Sequence, residues 1–350
     1  MASTLGRVRG WLTLGVAVFA AVMSGCGSSS AGSKSVANAP IRVALDWVPN
    51  TNHSGLYVAQ AKGWFKEAGL DVTILPNSSV GPDALVAQGK ADLGYSFVPS
   101  LLGSRAGGLK IRAVAAVLAH NLDAAVVLAN SPYRRPRDLA SATTYLGFGA
   151  PAEVPVMQEL IRRDGGVPGK LTSRAVNTSA YQDLYHGKGD FSQLFLGWEP
   201  FEAASRTPPV KIRVFPVRPA LGAEGDWPSV ILIASESAIT TRPEPLRRAL
   251  AVLDRGYHLS AAQPDESARI MESADHALSR QPKLVLRSSR YLAKQLLDAD
   301  GAWGQMRPGQ FVGLAKLLVR TRALRDRSGA PVTTVRVTDL FTNALLAKTK

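Results

Sequence analysis

Three short stretches set a carboxylate beside an indole with a proline just beyond: Asp46-Trp47-Val48-Pro49, Trp198-Glu199-Pro200 and Asp226-Trp227-Pro228. An indole face stacks on a planar ring while a carboxylate accepts N–H bonds, so the pairing suits a flat heterocycle that carries amino groups. The first stretch runs on through Asn50 to His53 in LDWVPNTNH, adding amide and imidazole groups. A lone tryptophan is more often core than ligand wall; three repeats of one chemistry turn the expectation toward a binding surface.

Other chemistries find less support. The five histidines (His53, His120, His186, His258, His276) show no paired helical spacing, and the single cysteine cannot help them, so no metal site is expected. Hydrolysis by a nucleophilic serine lacks a GxSxG elbow. GFGAPAE, from Gly147 to Glu153, is glycine-rich ahead of a helix and could meet an anion at that helix's N-terminus, though such loops are more often plain turns.

The elements that must position these groups alternate. Ile41, Val43 and Leu45 recur with period two, as do Leu70, Val72 and Ile74, while Tyr57, Ala61, Trp64, Phe65 and Ala68 recur with helical spacing between them. The pattern predicts strand, helix, strand, with Ser54 capping the helix, Gly69 ending it, and a neutral His53 at its N-terminus. ADLGYSF, IRAVAAVL and AAVVLA follow as strands and SLLGSRAG as a short helix, which together predict a parallel α/β sheet. A second series, TTYLGFG, AEVPVMQELIRRDGG and FSQLFLG, begins after the polar, proline-rich SPYRRPRDL, so a lobe boundary is expected near residue 130. From about Pro228 the strand SVILIAS leads into helices, the first with Leu246, Leu250, Leu253 and Tyr257 on one face. By this reading the first two acid–indole stretches follow strands, where open α/β sheets form ligand crevices, and the third lies at a crossover between lobes.

The N-terminus carries Arg7 and Arg9, a 12-residue apolar run from Trp11 to Val22, and a small-residue stretch ending in Cys26. A run that short reads as a signal peptide over residues 1–25 rather than as a membrane span. Residues 26–40 read as a cysteine followed by a flexible polar tether, GSSSAGSKSVANAP. Removing the leader takes two arginines from a formal charge of +14, leaving +12. The basic residues are scattered, with local clusters only at Arg134 to Arg137 and Arg320 to Arg327, a pattern that argues against nucleic acid and for a solvated surface drawn to anionic envelopes.

MSGC at Cys26 resembles the lipobox of bacterial lipoproteins, which implies diacylation of Cys26 and attachment to the outer face of the cell membrane. Leu45 to Leu75, ALVAQGKADLGYS, GWEPFEA, RALAVLDRGYHLSAAQPDESARIM and DLFTNALL together resemble the substrate-binding proteins of ABC importers, in the branch that holds the thiamine-pyrimidine-precursor receptor and the thiamine-pyrimidine synthase. The resemblance implies a type II periplasmic-binding-protein fold with two α/β lobes, a hinge and two crossovers: residues 41–130 with 228–350 as lobe 1, residues 131–227 as lobe 2. It implies a monomeric receptor, not an enzyme, that delivers a small heteroaromatic solute such as formylaminopyrimidine to a permease and its ATPase, without cofactor or metal. Riboflavin or another vitamin-like ring, and a surface lipoprotein that has lost its ligand, are the alternatives. The expected ligand residues are Asp46, Trp47, Asn50, His53 and Ser96 on the first lobe, Glu153, Trp198 and Glu199 on the second, and Asp226 and Trp227 near the return crossover. The synthase's Gly-Leu-Lys-Ala-Met-Ile-His, whose lysine holds pyridoxal phosphate, corresponds here to Gly94-Tyr95-Ser96-Phe97-Val98-Pro99-Ser100, with serine at both reactive positions. Its cysteine cluster for iron has no counterpart.

Overall fold

The computed structural model describes residues 38–176 and 180–347. The expected leader, Cys26 and nearly all of the tether lie outside the described residues.

Among the described residues, ten strands build two five-stranded sheets. The first contains β1 (Ala39–Ala44), β2 (Leu70–Leu75), β3 (Leu93–Ser96), β4 (Ile111–Ala116) and β10 (Ile231–Ser235), in the order β2-β1-β3-β10-β4. The second contains β5 (Asp123–Leu128), β6 (Thr144–Gly147), β7 (Thr172–Ala175), β8 (Phe191–Phe195) and β9 (Ile212–Pro216), in the order β7-β6-β8-β5-β9. Pairing is parallel around β1 and β6, whereas β10 and β5 each run antiparallel to both neighbours. Each sheet therefore takes its one antiparallel strand from the chain just after it has crossed over. The sheets are mixed, not wholly parallel as the sequence pattern suggested.

The crossings fall between Ala116 and Asp123 and between Pro216 and Ile231. AAVVLA, expected beside IRAVAAVL in one sheet, thus pairs with β8 and β9 of the other. The proline-rich run near residue 130 follows β5 instead of marking the change of sheet, because a polar loop looks alike whether it leaves a sheet or links two strands within one.

Period-two patterning places the cores. In β10, Ile231 and Ile233 enter one apolar cluster and Leu232 and Ala234 enter another on the opposite face. The second cluster gathers α1 (Ser54–Ala61), α2 (Trp64–Glu67) and, from further along the chain, the helix Pro243–Ala262, whose Leu246, Leu250, Leu253 and Tyr257 are all buried. The first gathers α3 (Pro82–Ala87), α4 (Val98–Ala106), α5 (Glu153–Arg163) and the helix Gly309–Arg320, and it runs on into the second sheet through Ala125, Tyr145 and Phe191. On the other face of that sheet, Leu184 of α6 (Ala180–Tyr185) packs with Val126 and Leu194. The remaining helices are α7 (Glu199–Ser205), α8 (Val217–Leu221) and α9 (Glu236–Thr241); Pro243–Ala262 is α10; α11 (Pro264–Ala274), α12 (His276–Ser279) and α13 (Pro282–Leu292) follow it, and Gly309–Arg320 is α14.

The first helix differs from its sequence reading. It is broken at Gly63, which adopts φ +74°, so α1 and α2 are separate. Its entry is capped by Asn50, not Ser54: the Asn50 side chain accepts from the Asn52 N–H at the head of a short 3-10 turn, Thr51–His53. Gly69 does close the unit, at φ +66°. Where α1 crosses α10, a Cβ on Gly256 would lie 2.1 Å from the Gly55 carbonyl oxygen, so the two backbones meet at a distance only glycine permits.

Candidate functional site

Loops leaving the carboxyl ends of β1 and β3 form the first wall. His53 Nε2 lies 2.7 Å from Asp46 Oδ1, and His53 Nδ1 accepts the Asn50 N–H at 3.3 Å. A ring nitrogen that accepts a backbone N–H carries no proton, so the proton sits on Nε2 and points at Asp46. The imidazole is wholly buried, edge-on to Tyr95 at 4.7 Å between centroids. Tyr95 and Tyr257 share a 2.8 Å hydroxyl contact, and Tyr257 donates to the Asn52 carbonyl at 2.8 Å, which fixes the 3-10 turn from below. Burial pushes both phenols up. Asn50 also donates to the Val48 carbonyl at 2.9 Å. His53 therefore serves as a buried support that orients Asp46.

Ser96, at the end of β3, donates to Asp83 Oδ1 at 2.6 Å, and Ser104 donates to Oδ2 at 2.6 Å. Asp83, which the sequence reading did not single out, is raised by its burial despite these donors. Phe97 and Val48 remain exposed at the same strand ends.

The second wall is acidic. Glu153, 7% exposed, accepts from the N–H of Phe148 at 3.0 and 3.1 Å and of Ala150 at 3.2 Å. Its own carboxylate thus fills the GFGAPAE turn that the sequence offered to an anion. Burial raises it. Because β5 runs antiparallel, its first residue, Asp123, lies opposite Phe195 at the carboxyl end of β8. Burial and then the Glu153 charge push Asp123 up to about 7, while Gln193 supplies it a hydrogen bond. Tyr145 donates to Gln193 at 3.2 Å. Asp123, Tyr145 and Gln193 were absent from the sequence-based set, since nothing local marks a strand residue as part of a wall.

Trp198 and Glu199 open α7. Glu199 accepts the Phe195 N–H at 3.1 Å, and burial pushes its carboxyl up to about 8, so at neutral pH it holds a proton and can donate as well as accept. Trp198, 6% exposed, packs with Met271, Leu278, Leu284 and Val285, and Trp47 packs against the same cluster. Ser288 of α13 joins the walls directly: it contacts Thr51 Oγ1 at 2.5 Å and donates to the Gly197 carbonyl. The structure thus brings the first two acid–indole stretches onto one apolar cluster.

The third stretch is placed elsewhere. Asp226 accepts from His120 at 2.9 Å and from the Asn121 N–H at 3.2 Å and forms an ion pair with Arg218 at 3.1 Å, so it ties the two crossovers together. Although burial opposes it, the His120 bond and its other donors hold Asp226 below the usual carboxylate range. Trp227 is buried in the core cluster that includes Phe311 and Leu314. One sequence pattern therefore occupies two environments, because a proline-bounded indole also suits a crossover that needs a rigid, buried anchor. Among the described residues no group of three His, Cys, Asp or Glu is set to hold a metal ion, and no helix is long and apolar enough to cross a membrane.

Two mixed sheets joined by two tied crossovers, with polar and aromatic groups at facing strand ends, define the type II periplasmic-binding-protein fold. The alkanesulfonate-binding protein SsuA from Xanthomonas axonopodis pv. citri, solved with MOPS bound, shares it: TM-score 0.66 at 16% identity, over 88% of this chain and 99% of that one. The chain belongs to the NMT1/THI5-like family, whose model matches residues 50–267. The formylaminopyrimidine-binding protein of Halalkalibacterium halodurans is 26% identical over 237 residues, 66% of this chain and 69% of that protein. A 4-amino-5-hydroxymethyl-2-methylpyrimidine phosphate synthase of Saccharomyces cerevisiae is 37% identical over 75 residues, 21% of this chain and 22% of the synthase.

Proposed function

We propose that this protein is the solute-binding receptor of an ABC importer, taking up a small heteroaromatic ring of the thiamine-pyrimidine-precursor class, such as formylaminopyrimidine, and passing it to a permease with its ATPase. The observation that carries the reading is the likeness to the Halalkalibacterium halodurans protein, together with the family match over residues 50–267. Each sheet with its helices acts as a lobe, and closure turns about the crossovers tied by Asp226. Trp47 and Trp198 stack the ring, Asp46 accepts amino hydrogens through the oxygen that His53 leaves free, and protonated Glu199 pairs with a ring nitrogen. Asn50 and Ser96 complete the polar contacts. Cys26 carries the lipid that holds the receptor at the outer face of the membrane.

No reaction is assigned. Ser96 and Ser100 stand where the synthase pattern has a lysine and a histidine. The test is calorimetric titration of the purified receptor with formylaminopyrimidine, joined to native mass spectrometry of the freshly purified protein. A saturable heat and a co-purifying mass of an aminopyrimidine are expected; no heat and no fluorescence change with any aminopyrimidine ends the proposal.

A further inference from the structure

The turn between β6 and α5 is shaped to bind an anion. Backbone N–H groups of Phe148 and Ala150 converge at the head of a helix, the arrangement that seats phosphate and sulfonate groups in many α/β proteins. Here the seat is taken by Glu153, the first residue of that same helix. The occupation is built into the backbone: a Cβ on Gly147 would lie 2.0 Å from Glu153 Oε2, so glycine supplies the room the carboxylate fills. Around it the strand ends carry more acid, with Asp123 close enough to feel the Glu153 charge and Glu199 close enough to feel Asp123. Among the described residues, the hydrogen bonds these three carboxyls accept come from backbone N–H groups, Tyr145 and Gln193.

We infer that Glu153 is a specificity-determining residue, an internal anion that fills the only-glycine seat so that the receptor rejects rings bearing phosphate, sulfonate or carboxylate and accepts uncharged, amino-bearing ones. The inference rests on the reading that the facing strand ends bind the ligand. An incoming anion would have to displace Glu153 from its backbone donors and then sit beside its carboxylate, so discrimination comes from repulsion as well as from lost contacts.

Calorimetry on the full-length receptor tests it, using 4-amino-5-hydroxymethyl-2-methylpyrimidine and its phosphate as a matched pair, with inorganic phosphate and MOPS as separate probes. Wild type should bind the alcohol at least about tenfold tighter than the phosphate ester and give no heat with phosphate or MOPS at about millimolar concentration. Glu153→Gln keeps an oxygen for the Phe148 and Ala150 N–H groups but no charge, and should reduce the preference by about tenfold. A wild-type receptor that binds the ester as tightly as the alcohol, or that binds phosphate or MOPS, overturns the inference, as does an unchanged preference in the folded variant. The wild-type comparisons decide the matter if the variant does not fold. If neither pyrimidine binds, the ring reading fails while the anion probes still judge Glu153: phosphate or MOPS binding gained in Glu153→Gln supports its role, and no gain overturns it.

Discussion

Replacing Glu199 by glutamine should make the receptor's stability less dependent on pH on the alkaline side. The glutamate is 5% exposed, and burial carries its carboxyl from an ordinary 4.5 to about 8. Between those values the folded state keeps a proton that the unfolded chain has released, so stability falls as pH rises and levels off above the folded value. Integrated from about pH 6 to about pH 9, the loss is roughly 2–3 kcal/mol for this one group. Asp123, at about 7, adds a smaller loss in the same direction, which both proteins share. Glutamine keeps the size of the side chain and an oxygen for the Phe195 N–H. Urea unfolding at four pH values across that range should show the variant gaining about 2 kcal/mol on wild type by the alkaline end, with matching urea slopes. A wild-type-to-variant gap that stays constant across the range refutes the claim that Glu199 is folded in its protonated form.

Other perturbations follow from the same contacts. Gly256→Ala drives a methyl group into the Gly55 backbone and should destabilise the α1–α10 crossing by about 2 kcal/mol or more, read as a lower urea midpoint. Trp198→Ala empties an apolar cluster shared with Met271 and Leu284, so a loss of about 3–5 kcal/mol should accompany any loss of ligand affinity in calorimetry; unaltered affinity in the folded variant excludes a stacking role. Asp226→Asn weakens the tie between crossovers. Because this acid is held low, its stabilisation is present above the ordinary carboxylate value and lost as pH falls, so acid unfolding should be shallower in the variant while hydrogen exchange near Asn121 and Gly225 speeds up.

What was legible in the chain was whatever repeats locally. Ile41 and Val43 alternate, α10 shows Leu246, Leu250 and Leu253 on one face, and each lands in the core as its period requires. Two strands escaped notice. β7 is TSRA, fully exposed at a sheet edge and without an apolar signal, and β9 ends on Pro216, which an edge strand tolerates and a central one does not. The cap is ambiguous in the sequence because Asn50 and Ser54 are both good caps, and the choice between them depends on a 3-10 turn held by Tyr257 from some two hundred residues away. Trp227 shows the converse: its neighbours in sequence match those of Trp47, but it is buried in the core cluster that also holds Phe311 and Leu314.

The residue least visible in the sequence, Asp123, also shows why the hinge and the acidic wall belong together. Its N–H donates to Asn121 Oδ1 at 2.8 Å, and Asn121 in turn donates to the Gly225 carbonyl of the return crossover at 2.8 Å. The crossing strand must enter its new sheet antiparallel, because the chain arrives from the edge where the parallel strands end. Its first residue is therefore delivered to that edge and, being one step past the crossover, is bonded to it. Because β5 pairs with β8, Asp123 belongs to the same sheet as the turns that carry Glu153 and Glu199, so a rotation about the crossovers would move the three acids as one group, linked to the return crossover through Asn121.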